Sequence, residues 1–225
     1  MMTMMASRYS RAIFVSYPVT RCLIVANVII FALSLSLSDH YKMAFDYGVV
    51  PNNFVNVFLS IEAFGDNMTK IFTSMFMHAN IIHLILNLVA LSYFGSLAER
   101  MVGARKYVGM YLAAGMTGAL LHTLIMIFVI GNGDSSLVGA SGSISGMLGV
   151  AAAFGNRGAY YLIAIEPVVA IIGYFFLGMP MGFVAHIGGF LAGLLFTKII
   201  IMRSRKKEHP PGILVPRRVI ANNYS

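Results

Sequence analysis

The chain has 225 residues, of which 58% are hydrophobic and 11% charged, with a mean hydropathy of +0.80 and a formal net charge of +8. An average soluble domain carries roughly 25% charged residues, so the composition excludes an ordinary soluble protein and describes a membrane protein, most simply of one compact domain. One cysteine, Cys22, excludes an internal disulfide and a cysteine-rich metal site, and the six histidines are too scattered to form a metal site.

Six stretches approach the roughly 20 helical residues that a hydrocarbon core demands. They are 20–38, 79–98, 106–130, 139–155, 160–179 and 182–202. Backbone groups in lipid must be satisfied within each segment, and the alternation of a membrane barrel is missing, so the predicted fold is an all-α bundle of six transmembrane helices. The bundle spans 20–202, between an N-terminal segment 1–19 and a basic tail 203–225 that reads as disordered. No small-residue cleavage site precedes the first apolar run, which reads as a retained anchor. The first loop holds an apolar run, Phe54 to Ile61, too short to span and suited to the membrane interface.

Lysine and arginine set the orientation. All except Lys42 and Lys70 lie in or beside the N-terminus, the second loop, the fourth loop and the C-terminus. The positive-inside rule then places both termini in the cytoplasm. The net charge is mainly a topology signal, and the run Arg203 to Lys207 is expected to face lipid headgroups, not nucleic acid.

In this topology the second, fourth and sixth helices begin on the extracytoplasmic side, with His83, Asn87, Ser141 and His186 near their starts. Polar groups at membrane depth are costly and usually mark a functional site. The fourth segment, about 15 residues or roughly 22 Å, falls short of a core about 30 Å thick and should begin below the outer surface. The loop-like stretch Gly131 to Ser136 before it is expected to line a water-filled cavity that reaches Ser141. Gly142, Gly146 and Gly149, with Ala185, Gly189 and Gly193, give small-xxx-small spacings that bring the fourth and sixth helices together.

A neutral His186 can take the Ser141 hydroxyl proton and return it to a leaving amine. Glu166, beside Pro167, reads as the cytoplasmic start of the fifth helix, so no acidic residue completes a triad and a Ser–His dyad is expected. The Ser141 N–H at a helix N-terminus and the side chains of His83 and Asn87, four apart on one helix face, are candidate oxyanion donors.

These residues together resemble the rhomboid intramembrane serine proteases, in the basic six-helix form common in bacteria. The resemblance covers roughly residues 70–202, through His78-Ala79-Asn80-Ile81-Ile82-His83 to Asn87, Gly95, Glu99-Arg100, Gly139-Ala140-Ser141-Gly142 and Ala185-His186-Ile187-Gly188-Gly189. It implies Ser141 as nucleophile, His186 as base, and His83, Asn87, Gly139 and Ala140 around the oxyanion. His78, Gly142, Gly146, Gly189, Gly193, Glu99 and Arg100 become structural supports. It further implies no metal and no organic cofactor, and substrates that are single-pass transmembrane proteins. These enter from the bilayer between the second and fifth helices and are cut near their extracytoplasmic ends. The implied location is the bacterial inner (plasma) membrane, as a multi-pass integral protein, with the active site opening to the extracytoplasmic side. Two features depart from the family: Ser145 stands where many relatives carry an aromatic residue, and the chain has no tryptophan for the first-loop Trp-Arg pair of many bacterial members. An inactive rhomboid-like escort for membrane clients would typically lack the serine or the histidine. A small transporter would show internal repeats and broken helices at the midplane.

Overall fold

The computed structural model describes residues 17–36, 40–58, 60–131, 133–177 and 182–208. Each predicted stretch is a helix: α1 (Pro18–Ser36), α4 (Ile81–Val102), α5 (Ala104–Ile130), α6 (Ser141–Ala153), α7 (Arg157–Leu177) and α8 (Phe183–Glu208). The first loop adds α2 (His40–Tyr47), a 3₁₀ segment (Pro51–Phe58) and α3 (Ile61–Ser74). Among the described residues there is no strand, only an isolated antiparallel bridge between Val49 and Leu137. The fold is an all-α membrane bundle.

Length and hydropathy let α1, α4, α5 and the Phe183–Arg203 part of α8 cross a bilayer. Apolar side chains stand exposed on outward faces, among them Ile29, Val89, Phe128 and Phe176. Lipid, having no hydrophobic drive of its own to exclude them, is the solvent that accepts such faces. One difference from the sequence expectation concerns an end. Helix α8 continues to Glu208, so the basic residues 203–207 extend a helix instead of opening the tail. The rest of that tail, the N-terminal residues 1–16 and the fifth loop at 178–181 lie outside the described residues.

Helix α6 occupies the centre. It is 13 residues long, about 20 Å, and every residue from Gly142 to Ala152 is buried. Its neighbours approach through glycine. A Cβ on Gly189 would meet the Gly142 carbonyl oxygen, one on Gly193 the Gly146 oxygen, and one on Gly149 the Phe190 oxygen. The backbones of α6 and α8 therefore touch, as the small-xxx-small spacing requires. Around them Tyr107, Tyr111, Met147 and Val150 fill the core.

Polar ties hold the periphery. Glu99 on α4 accepts from the Val19 N–H (3.1 Å), the Thr20 N–H (2.9 Å) and the Thr20 hydroxyl (2.8 Å), so a carboxylate from another helix caps the first turn of α1. Its neighbour Arg100 is exposed. The first and third loops are joined by the Val49–Leu137 bridge, by Asn52 N–H to the Gly133 carbonyl (3.1 Å), and by Asn52 Nδ2 to Asp134 Oδ1 (2.7 Å). Gly139 N–H donates to the Ser74 carbonyl at the end of α3 (2.9 Å). These ties set the path of the chain as it enters α6.

Candidate active site

Ser141 is the first residue of α6 and His186 lies in the first turn of α8. Their helices being in backbone contact, the side chains meet: Ser141 Oγ and His186 Nε2 are 2.7 Å apart. With Nε2 as acceptor of the hydroxyl proton, the ring carries its own proton on Nδ1. The N–H of Ser141 belongs to a helical first turn, where backbone donors lack intrahelical acceptors.

His83 and Asn87 arrive from α4. Asn80 caps that helix, its side chain accepting the His83 N–H at 2.8 Å. Ala79 N–H donates to His83 Nδ1 (3.4 Å), which leaves the His83 proton on Nε2. Gly139 lets that ring approach: its φ is +127°, and a Cβ there would lie 2.9 Å from His83 Nε2 and 3.6 Å from Ser141 Oγ. His83 Nε2 and the serine hydroxyl thus border one small space. Asn87 donates from Nδ2 to the His83 carbonyl (2.9 Å), and the residue lines the same cavity. His78 is fully buried, with its ring 5.2 Å from that of His83 in an edge-on arrangement, the place of a supporting residue.

A cavity of about 340 Å³ opens in front of these groups. Leu86, Ala90 and Phe94 of α4 line one side, and Leu162, Ile165, Val169 and Ala170 of α7 the other, with Ser141, Ile144, Ser145 and Leu148 of α6 between. The principal contacts of α7 are with α6 and α8, so α4 and α7 stand as the two walls of this opening. Gly142, Gly146, Gly189 and Gly193 hold the α6–α8 contact, and Ala140 is buried immediately before the serine. Among the described residues no cluster of histidine, cysteine and acidic side chains could hold a metal.

Glu166 requires a correction. The sequence places it at the cytoplasmic start of the fifth helix, because proline favours the first helical position. The helix instead begins at Arg157 and carries Pro167 in its interior. Glu166 therefore faces the cavity at mid-helix, with Oε1 3.2 Å from His186 Nδ1. The signal that could have located it was available: a lone carboxylate between Ile165 and Pro167 in an apolar segment is an intramembrane charge.

Fold and site define a class: a multi-pass all-α membrane protein with a histidine-bound serine at the start of a short central helix. Residues 65–203, more than half of the chain, match the rhomboid domain family. RHOMBOID-like protein 7 of Arabidopsis thaliana is 28% identical over 169 residues, 69% of this chain and 50% of that protein. Rhomboid-like protease 3 of Toxoplasma gondii is 28% identical over 179 residues, 76% of this chain and 64% of that protein. Rhomboid protease GluP of Bacillus subtilis is 34% identical over 130 residues, 55% of this chain and 24% of that protein. The chain spans about half the length of the first of these relatives. It belongs to the rhomboid family, a family that includes intramembrane serine proteases.

Proposed function

We propose that the protein is an intramembrane serine endopeptidase that cuts transmembrane helices of other membrane proteins. The observation that carries this reading is the 2.7 Å contact between Ser141 Oγ and His186 Nε2 beside an apolar cavity. His186 Nε2 takes the hydroxyl proton as Oγ bonds to the scissile carbonyl carbon, and the carbonyl π electrons move to oxygen. The oxyanion receives hydrogen bonds from the Ser141 N–H, His83 Nε2–H and the Asn87 amide, and the imidazolium then protonates the leaving amine. Water repeats the sequence on the acyl-enzyme.

A substrate helix enters from lipid between α4 and α7, whose apolar side chains line the opening and suit a single-pass apolar segment. The site opens on the extracytoplasmic side, with Arg100, Arg105, Lys106 and Arg157 at the opposite membrane face. No metal or organic cofactor takes part.

The test is cleavage of a single-span reporter by the purified full chain in liposomes, comparing wild type with Ser141→Ala and His186→Ala. Loss of product in both variants is expected. Equal product in wild type and Ser141→Ala would overturn the reading, and an inert folded wild type that still captures membrane clients would make the protein an escort.

A further inference from the structure

We infer that Glu166 is the positioning residue of His186, so that the serine–histidine pair operates with a third, acidic member supplied by α7. The inference rests on the protease reading for its rate consequences, but its geometric core does not. If His186 Nε2 accepts from Ser141, then Nδ1 must carry a proton, and that N–H, on a buried atom, needs an acceptor. Glu166 Oε1 is 3.2 Å away, and Glu166 is the one carboxylate among the described residues lining the cavity. The side chains of His186 and Glu166 are 14% and 28% exposed, so the contact is partly shielded.

The resting contact is oblique. At this separation the ring N–H does not point along the line to the carboxylate, and among the described residues Nδ1 has no other partner. Contacts of this kind commonly tighten only as charge develops in the reacting complex. When the Ser141 proton passes to Nε2, the ring becomes a cation facing an anion, and a small ring rotation completes the Nδ1–H···Oε1 bond. The Nδ1 proton stays on the ring and Glu166 stays ionised throughout. The carboxylate selects the tautomer, orients the ring and stabilises the imidazolium, the role of an orienting acid in serine hydrolases.

Local structure supports this placement. A carboxylate on a bilayer helix is expensive unless paired. Helix α7 carries Glu166 at mid-length next to Pro167, and α6 presents small Ser145 toward the same cavity. A salt-bridging role on the protein surface would not require this depth or this direction.

The experiment compares wild type, Glu166→Gln, Glu166→Asp and Ser141→Ala as purified full chains in detergent. Three readouts are used: kcat and KM on the reporter, thermal unfolding, and the ¹H–¹⁵N signal of the His186 Nδ1–H in ¹⁵N-histidine-labelled protein. Glu166→Gln should lower kcat roughly 10²- to 10⁴-fold with little change in KM. Glu166→Asp should recover part of the loss. Unfolding temperature should hold or rise in Glu166→Gln, because a costly charge has left the bilayer. In samples acidified until the ring is a cation, the Nδ1–H resonance should lie downfield in wild type and Ser141→Ala and move upfield in Glu166→Gln.

Activity of Glu166→Gln within about threefold of an active wild type overturns the positioning role. A His186 resonance unchanged by Glu166→Gln overturns the pairing itself. A wild type that cleaves nothing, but whose resonance responds to Glu166→Gln, leaves the pairing standing and brings down the protease reading alone.

Discussion

Replacing Gly189 with alanine should separate Ser141 from His186, the proposed catalytic pair, without touching either member. The added Cβ would fall on the Gly142 carbonyl oxygen and lie 2.9 Å from the Gly142 carbonyl carbon, whereas ordinary contact is 3.4–4 Å. Both obstacles are backbone, so no side chain can swing aside, and α8 must withdraw from α6 by about 1 Å or more. That displacement carries a 2.7 Å Ser141–His186 contact to the edge of hydrogen-bond reach or beyond. A misplacement of 1 Å costs about 10²-fold in rate, and overpacking costs about 1–3 kcal/mol of stability. Gly142→Ala is the internal control, since its Cβ would sit 3.5 Å from the Ala185 oxygen in ordinary contact. The two variants differ by one methyl each, on facing positions of the same helix pair. Reporter cleavage and thermal unfolding in one detergent should show Gly189→Ala impaired in both and Gly142→Ala close to wild type. If the two variants behave alike, the glycine contact does not set the distance between serine and histidine.

Other outcomes follow from single groups. His83→Ala removes the proposed oxyanion donor and should lower kcat about 10²- to 10³-fold, with KM nearly unchanged and the fold intact by thermal unfolding. An effect confined to KM would place His83 in substrate binding only. Glu99→Ala strands the Val19 and Thr20 N–H groups at the start of α1 and should cost roughly 1.5–3 kcal/mol of stability, read as a lower denaturation midpoint. A midpoint equal to wild type would mean α1 is held by lipid-facing packing alone.

Much of the bundle was legible because membrane helices declare themselves by hydropathy and length, which are local properties. The short α6 was legible for a related reason: counting residues gave a helix too short for the hydrocarbon core, and the helix has 13 residues with Ser141 the first. The α6–α8 contact was legible in glycine spacing, since only glycine permits two backbones to touch, and that contact brings Ser141 to His186. The tie between the first and third loops was not legible. The Val49–Leu137 bridge and the Asn52–Asp134 hydrogen bond join residues more than 80 positions apart, and neither segment carries a pattern naming the other.

Glu166 failed to be read for an instructive reason. Two rules applied to it and disagreed: proline beside it argued for a helix start, while a charge within an apolar run argued for a buried functional position. The proline rule is weaker in a membrane. There a missing N–H inside a helix is offset by neighbouring helices, and the cost of breaking the segment would be several unsatisfied backbone groups in lipid. The charge rule strengthens in the same medium, because desolvation is greater. Weighed by magnitude, the carboxylate outranks the proline, so α7 runs through Pro167 and brings Glu166 to His186. The same weighing explains why the acid comes from α7. Helices α6 and α8 are joined at glycines and leave no room between them for a long acidic side chain, whereas α7 borders the open cavity from which His186 Nδ1 can be reached.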